Sequence, residues 1–230
     1  SCARPRVGRA QRPRVLIGCK TPMLPWIILF TTLALISLLI AEAGSSRRAI
    51  LVFKPLASTG FVAVALALGA PFSRYSEVLL LGLLLSWLGD VLLMFDRQFL
   101  AGLASFLLAH VAFGAAFVFR GPSLLWTVAG LADLAVIAGV VFRWLTPHLP
   151  SGLRIPVYVY AGAISVMVAL AAGSVAAGSP WEILAGAVAV LLSDLSVARD
   201  RFVQGSFFNK LWGLPLYYAA QILLASSVRS

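Results

Sequence analysis

The chain has 230 residues, 61% hydrophobic and 11% charged, with a mean hydropathy of +0.98. No soluble domain of this length keeps so apolar a composition in solution, and the long Leu/Ala/Val runs lack the alternation of a membrane β-barrel, so an all-α polytopic membrane protein is expected. The net charge of +10 is not read as a nucleic-acid signature, because six of the 18 basic residues (Arg4, Arg6, Arg9, Arg12, Arg14, Lys20) crowd into one short N-terminal stretch.

Residues 1–22 form that basic tail, expected to be disordered or non-native. It reads as an extension upstream of Met23 or, alternatively, as an Arg-rich targeting peptide free of acidic residues. Cys2 and Cys19 both fall there, so neither a disulfide framework nor a cysteine metal site is expected to organise the rest. Residues 23–230 read as a single membrane domain. A lipid-crossing helix needs about 20 apolar residues, and the Gly, Pro and charge breaks divide the chain into eight spans: 24–43, 50–70, 76–95, 99–119, 123–142, 155–173, 181–198 and 208–228.

Taken in order, span 1 closes on Glu42 and span 2 opens with Lys54-Pro55. Span 3 carries Asp90, followed by Asp96-Arg97; span 4 carries His110 in mid-span; span 5 carries Asp133 at the costliest depth. Span 6 holds Tyr158 and Tyr160, span 7 carries Asp194 followed by Asp200-Arg201, and span 8 holds Asn209, Lys210, Tyr217, Tyr218 and Gln221. The connections after spans 1, 3, 5 and 7 collect Arg47, Arg48, Lys54, Arg97, Arg143, Arg154, Arg199, Arg201 and Lys210, against only Arg74 and Arg120 on the other side. Positive-inside bias puts the rich side in the cytoplasm and the N-terminus outside, whereas the basic tail argues the reverse.

The stretches LLSWLGDVLLMFDRQF (84–99) and AVLLSDLSVARDRF (189–202) align Asp90 with Asp194 and Asp96 with Asp200. Each ends a third span of four, as a duplication into two pseudo-symmetric four-helix halves requires; a pseudo-two-fold axis along the membrane normal then brings the two aspartates together. A carboxylate near the lipid core costs about 2.5–3.5 kcal/mol on insertion scales. Lipid burial and the partial negative charge of a helix C-terminus both favour the neutral acid, and one proton shared by two carboxyls suits general acid catalysis. The bland alternative is a structural pair bonding neighbouring helices.

The remaining polar residues carry paired readings. Lys54 neutralises an aspartate or grips a phosphate, or it is a snorkelling interfacial lysine. Arg97, Arg199 and Arg201 hold a phosphate, or they set topology. His110 shuttles a proton or orients the acid, or it is a neutral packing histidine. Tyr160 and Tyr218 are candidate hydroxyl donors among belt and groove aromatics, and Asn209 and Gln221 are candidate supporting donors; His148 is assigned nothing. Asp133 has no repeat partner. The chain lacks HExxH, a serine nucleophile elbow, a P-loop and a Cys/His ligand set, and a metal held by Asp90, Asp194 and His110 has no spacing signal behind it.

In KPL (54–56), GDVLLM (89–94), FLAGLASFLLAHVAF (99–113), Tyr160 with AISVM (163–167), SDLSVARDRF (193–202) and YYAAQILL (217–224), the chain resembles the YhhN-like lysoplasmalogenase family over about residues 24–226. The resemblance implies hydrolysis, without a cofactor, of the vinyl ether bond of a lysoplasmalogen to a fatty aldehyde and a glycerophospho-ethanolamine or -choline. It carries the family's acidic functional residues to Asp90 and Asp194, with the order of their roles left open. It implies a lysophospholipid and the bilayer as partners, and a bacterial inner membrane or the endoplasmic reticulum as location. A proton-coupled transporter is the rival from another class, since duplicated halves and intramembrane acids also serve transport; a lipid-binding scaffold is a third.

Overall fold

A computed structural model describes residues 22–229; the basic stretch 1–21, with the expectation placed on it, and Ser230 lie outside the described residues. Among the described residues there are eight long helices and no strands: α1 (Leu24–Ala43), α2 (Arg47–Ala67), α3 (Arg74–Leu92), α4 (Phe99–Val118), α5 (Leu124–Leu145), α6 (Arg154–Ala176), α7 (Trp181–Ala198) and α8 (Phe207–Ser226). All eight are long and apolar enough to cross a membrane.

The boundaries differ from the expected spans where caps and turns outweigh hydropathy. Ser73 Oγ accepts from Ser76 N (3.2 Å) and Ser76 Oγ accepts from Ser73 N (2.9 Å), so a capping box starts α3 ahead of its apolar run. That helix ends at Leu92, and Asp96–Gln98 forms a separate short turn. Helix α2 begins at Arg47 instead of residue 50, which corrects the position of Lys54: it does not open the span but lies about two turns inside it, roughly 10 Å along the axis. Pro55 and Pro215 sit within α2 and α8, and both helices continue through them, so the described residues contain no matched pair of broken helices.

Consecutive helices pack as hairpins, α1 with α2, α3 with α4, α5 with α6 and α7 with α8. The neighbour relations largely survive exchange of α1–α4 for α5–α8: α2 meets α3 as α6 meets α7, and α2 meets α8 as α6 meets α4. The correspondence breaks at α4: α3 touches α8, but α7 makes no comparable contact with α4. Helix α1 packs on α8, but its counterpart α5 is joined chiefly to α6 and stands off α4.

Close approach of backbones holds the helices that carry the two aspartates. A Cβ at Gly82 would sit 2.5 Å from the Phe113 ring and one at Gly89 2.6 Å from the Phe106 ring, so α4 drives two aromatic knobs into glycine holes on α3. On α7, Ser193 and Ser196 donate to the α8 carbonyls of Gly213 (3.2 Å) and Asn209 (2.7 Å). Phe61, Phe113, Phe117, Leu79, Leu83, Met167, Ile183 and Leu224 are fully buried between these elements.

Filling such a hole forces the helices apart at a cost of about 1–3 kcal/mol. Gly82→Leu is therefore expected to lower the thermal unfolding midpoint in detergent clearly. Gly162→Ala, where nothing lies within 4 Å of the added atom, should leave the midpoint unchanged or raised. Equal midpoints for the two variants would contradict this packing.

Candidate active site

A cavity of about 450 Å³ opens where α5 stands off α4. Its apolar wall comes from α4 to α8, through residues such as Leu103, Phe106, Ile137, Val141 and Ile164. Asp90, Asp194, Lys54, Tyr160, Tyr217, Glu42 and Lys210 supply polar groups to the same wall. Asp90 lies in the last turn of α3 and Asp194 near the end of α7, while Lys210 lies in the first turn of α8 and Glu42 at the end of α1. The helices alternate in direction, so all four residues fall toward one end of the bundle.

Asp90 is buried and closely supported. Its Oδ2 accepts from Ser58 Oγ (2.6 Å) and Tyr217 Oη (2.8 Å), and Lys54 Nζ stands 3.6 Å from its Oδ1. Ser58 follows Lys54 by one helical turn, so α2 presents cation and hydroxyl on one face. Tyr218 Oη lies 3.1 Å from Ser58 Oγ and 3.4 Å from the Lys54 carbonyl oxygen, so a second α8 hydroxyl joins the cluster. Hydrogen bonds to a charged group are each worth about 1.5–3 kcal/mol, and without them a carboxylate at this depth would be prohibitive.

Asp194 has different company. Tyr160 Oη donates to its Oδ2 (2.6 Å), and His110 Nε2 is 3.5 Å from the same oxygen, longer than a good hydrogen bond. The histidine is fully buried and meets the Tyr160 ring edge-on at 5.0 Å. No lysine or arginine among the described residues forms an ion pair with Asp194. The two carboxyls nevertheless share a plan: each accepts a hydrogen bond from the second helix of its own half (α2 or α6) and has the fourth helix of the other half beside it, α8 through the Tyr217 bond and α4 through the nearby His110 ring.

The other expected residues are placed as follows. Arg201 lines the cavity, lies over the Phe99 ring at 4.6 Å and pairs with Asp96 at 3.6 Å. Arg97 is exposed and takes no part in the cavity wall. Asn209 is buried but turned into the connection before α8, where its amide donates to Gln204 O (2.7 Å) and Asp200 Oδ1 (3.2 Å) and its oxygen accepts from Arg199 (3.1 Å). Gln221 donates to Ser86 Oγ (3.3 Å), one helical turn from the Tyr217–Asp90 bond on the same two helices, and makes no hydrogen bond to either aspartate. Asp133 faces outward from α5, and His148 is exposed. Among the described residues no group of three His, Cys, Asp or Glu side chains is placed to hold a metal ion.

Sequence reasoning missed Ser58 and the bond from Tyr217, and it counted Lys210 only as a topology charge. Ser58 had a readable signal, its position four residues beyond Lys54. Lys210 had none, since its partner is Glu42, 168 residues away.

The family model described as the YhhN family matches residues 49–228. Among curated proteins, the chain is 32% identical over 154 residues to lysoplasmalogenase TMEM86A of Bos taurus, covering 64% of this chain and 62% of that protein. It is 34% identical over 183 residues to a lysoplasmalogenase of Mycobacterium bovis, covering 74% of this chain and 67% of the relative. A third relative, lysoplasmalogenase TMEM86B of Rattus norvegicus, is 34% identical over 167 residues, 70% of this chain and 66% of its own length. The chain thus spans about two thirds of the length of these relatives. No solved structure matches it. With the aspartates, the cavity and eight spans falling inside or beside the matched region, the chain belongs to the YhhN family.

Proposed function

We propose that the chain hydrolyses the vinyl ether bond of a lysoplasmalogen, giving a fatty aldehyde and a glycerophospho-ethanolamine or -choline, with Asp194 as general acid and Asp90 as the carboxylate that steadies the cation and takes the proton of water. One observation carries the reading: two carboxyls with different surroundings share a largely apolar cavity of about 450 Å³. The relatives named lysoplasmalogenase support the same substrate class.

The roles follow from the partners. Lys54 and the Ser58 and Tyr217 hydroxyls make Asp90 the better seat for negative charge. Among the described residues Asp194 has one hydroxyl donor and no lysine or arginine partner, which leaves its Oδ1 to carry the proton. In the first step the Asp194 proton bonds to the outer alkene carbon, and the ether oxygen's electrons complete an oxocarbenium ion. A water oxygen bonds to the cationic carbon and its proton passes to Asp90. The hemiacetal then collapses: its hydroxyl proton returns to Asp194, the carbon–oxygen bond breaks, and the Asp90 proton leaves on the glycerol oxygen. Glycosidases meet a similar cation with two carboxyls. Against a largely apolar wall, fixed charge acts on the developing cation with less screening than in bulk water.

Removing a general acid or base costs about 10²–10⁴-fold. Asp90→Asn and Asp194→Asn, purified in detergent with no gradient across any membrane, are each expected to lose at least about 100-fold in aldehyde release from lysoplasmenylethanolamine while keeping their unfolding midpoints. Wild-type rates in either variant would refute the assignment, and absence of aldehyde from the wild-type protein would refute the function and leave transport as the reading to pursue. Tyr160→Phe frees Asp194 Oδ2 of its only hydrogen bond and is expected to lower kcat about tenfold, with little change in KM, in the same assay.

A further inference from the structure

Besides the Lys54–Asp90 contact, one ion pair among the described residues has both members on the cavity wall: Lys210 Nζ stands 2.7 Å from Glu42 Oε2. Glu42 is largely shielded, its side chain 13% exposed, whereas Lys210 is 40% exposed. The pair joins α1 to α8 at the same end of the bundle as the aspartates, with Glu42 one residue from the end of α1 and Lys210 in the first turn of α8. Arg201 and Asp96 make a poorer candidate for ligand binding, because Asp96 is 83% exposed and lies off the wall. Neither Glu42 nor Lys210 has a part in the proton transfers described above.

We propose that Glu42 and Lys210 form the headgroup site of the cavity and select a zwitterionic phosphodiester, with the phosphate taken by Lys210 and the terminal ammonium by Glu42. The inference rests on the vinyl ether reading of the same cavity and adds the feature that chooses among vinyl ethers. Its logic is an exchange of partners. In the empty site each charge neutralises the other. A headgroup bearing one anion and one cation replaces both partners at once and strands neither, so the cost of separating the pair is offset within one binding event. A bare phosphate monoester takes Lys210 and leaves the Glu42 carboxylate unpaired beside a new anion. A headgroup-free alkenylglycerol leaves the pair closed. With the pair and both carboxyls on the wall of one cavity and toward the same end of the bundle, a headgroup held by the pair places the adjoining glycerol and vinyl ether in the cavity that Asp90 and Asp194 line.

The test compares three vinyl ethers of one chain length in detergent: lysoplasmenylethanolamine, the corresponding alkenyl lysophosphatidate and the 1-alkenylglycerol. In the wild-type protein the zwitterion is expected to exceed the phosphate monoester by about tenfold or more in kcat/KM, mainly through KM. Glu42→Gln should reduce that ratio to near unity, and Lys210→Gln should lower both phosphate-bearing substrates relative to the alkenylglycerol. Ratios taken within one preparation do not depend on its folded fraction. A role confined to tying α1 to α8 would scale all three substrates together, and unchanged ratios in both variants overturn the proposal while leaving the hydrolase reading intact. Aldehyde from none of the three substrates sinks the hydrolase reading, and this inference with it. A second measurement needs only the wild-type protein: glycerophosphoethanolamine should compete with substrate about tenfold more strongly than glycerol phosphate. Equal competition overturns the headgroup site.

Discussion

Negative charge inside a bilayer has to be met by fixed partners, and in this protein that requirement ties the two halves together. Asp90 on α3 takes Ser58 and Lys54 from α2 and Tyr217 from α8, while Asp194 on α7 takes Tyr160 from α6 and has His110 of α4 beside it. Each carboxyl thus draws on its own half and on the opposite one. Separating the halves would take the Tyr217 bond from Asp90 and uncover Asp194 on its α4 side, at a depth where one uncompensated charge costs several kcal/mol. The glycine holes on α3 and the serine bonds from α7 to α8 then fix the fourth helices close enough to serve.

The pseudo-symmetric plan explains the frame, and its breach explains the cavity. Were α5 packed on α4 as α1 packs on α8, the space would close. Instead α5 is held mainly by α6, and the gap it leaves is lined by apolar side chains that reach from the helix ends past both carboxyls. Equivalent positions also carry different chemistry. The partners of Asp90 include a lysine, whereas the place beside Asp194 is filled by tyrosine and histidine. On the proposed mechanism, these unequal surroundings fit one acid for holding charge and the other for holding a proton.

Much of this was legible in the sequence. Eight spans follow from hydropathy because lipid demands continuous apolar runs, and Asp90 and Asp194 stand out because charge at that depth is rare and the pattern recurs. Lys54 and Tyr160 were visible as candidates but not as partners of a given aspartate. What stayed hidden depends on which helix faces which: the crossing of Tyr217 to Asp90, the pairing of Glu42 with Lys210, and the stand-off of α5 leave no local trace. The helix boundaries also differ from the apolar runs. By starting α2 at Arg47, the chain sets Lys54 beside Asp90, where a span beginning at residue 50 would have left it near the surface. Arg97 and Arg201 look alike in the repeat, yet only Arg201 reaches the cavity, because its side chain folds over Phe99.

The proposed reaction turns on enzyme-delivered protonation of carbon, and isotopes test it most directly. In heavy water, the aldehyde should gain a single deuterium on the carbon next to the carbonyl, on one face only, because the proton comes from a fixed carboxyl. In water labelled with heavy oxygen, the glycerol product should stay unlabelled, because the bond that breaks lies on the alkenyl side of the ether oxygen. Deuterium spread equally over both faces, or heavy oxygen in the glycerol, would contradict the assignment of Asp194 and Asp90 as proton donor and water activator.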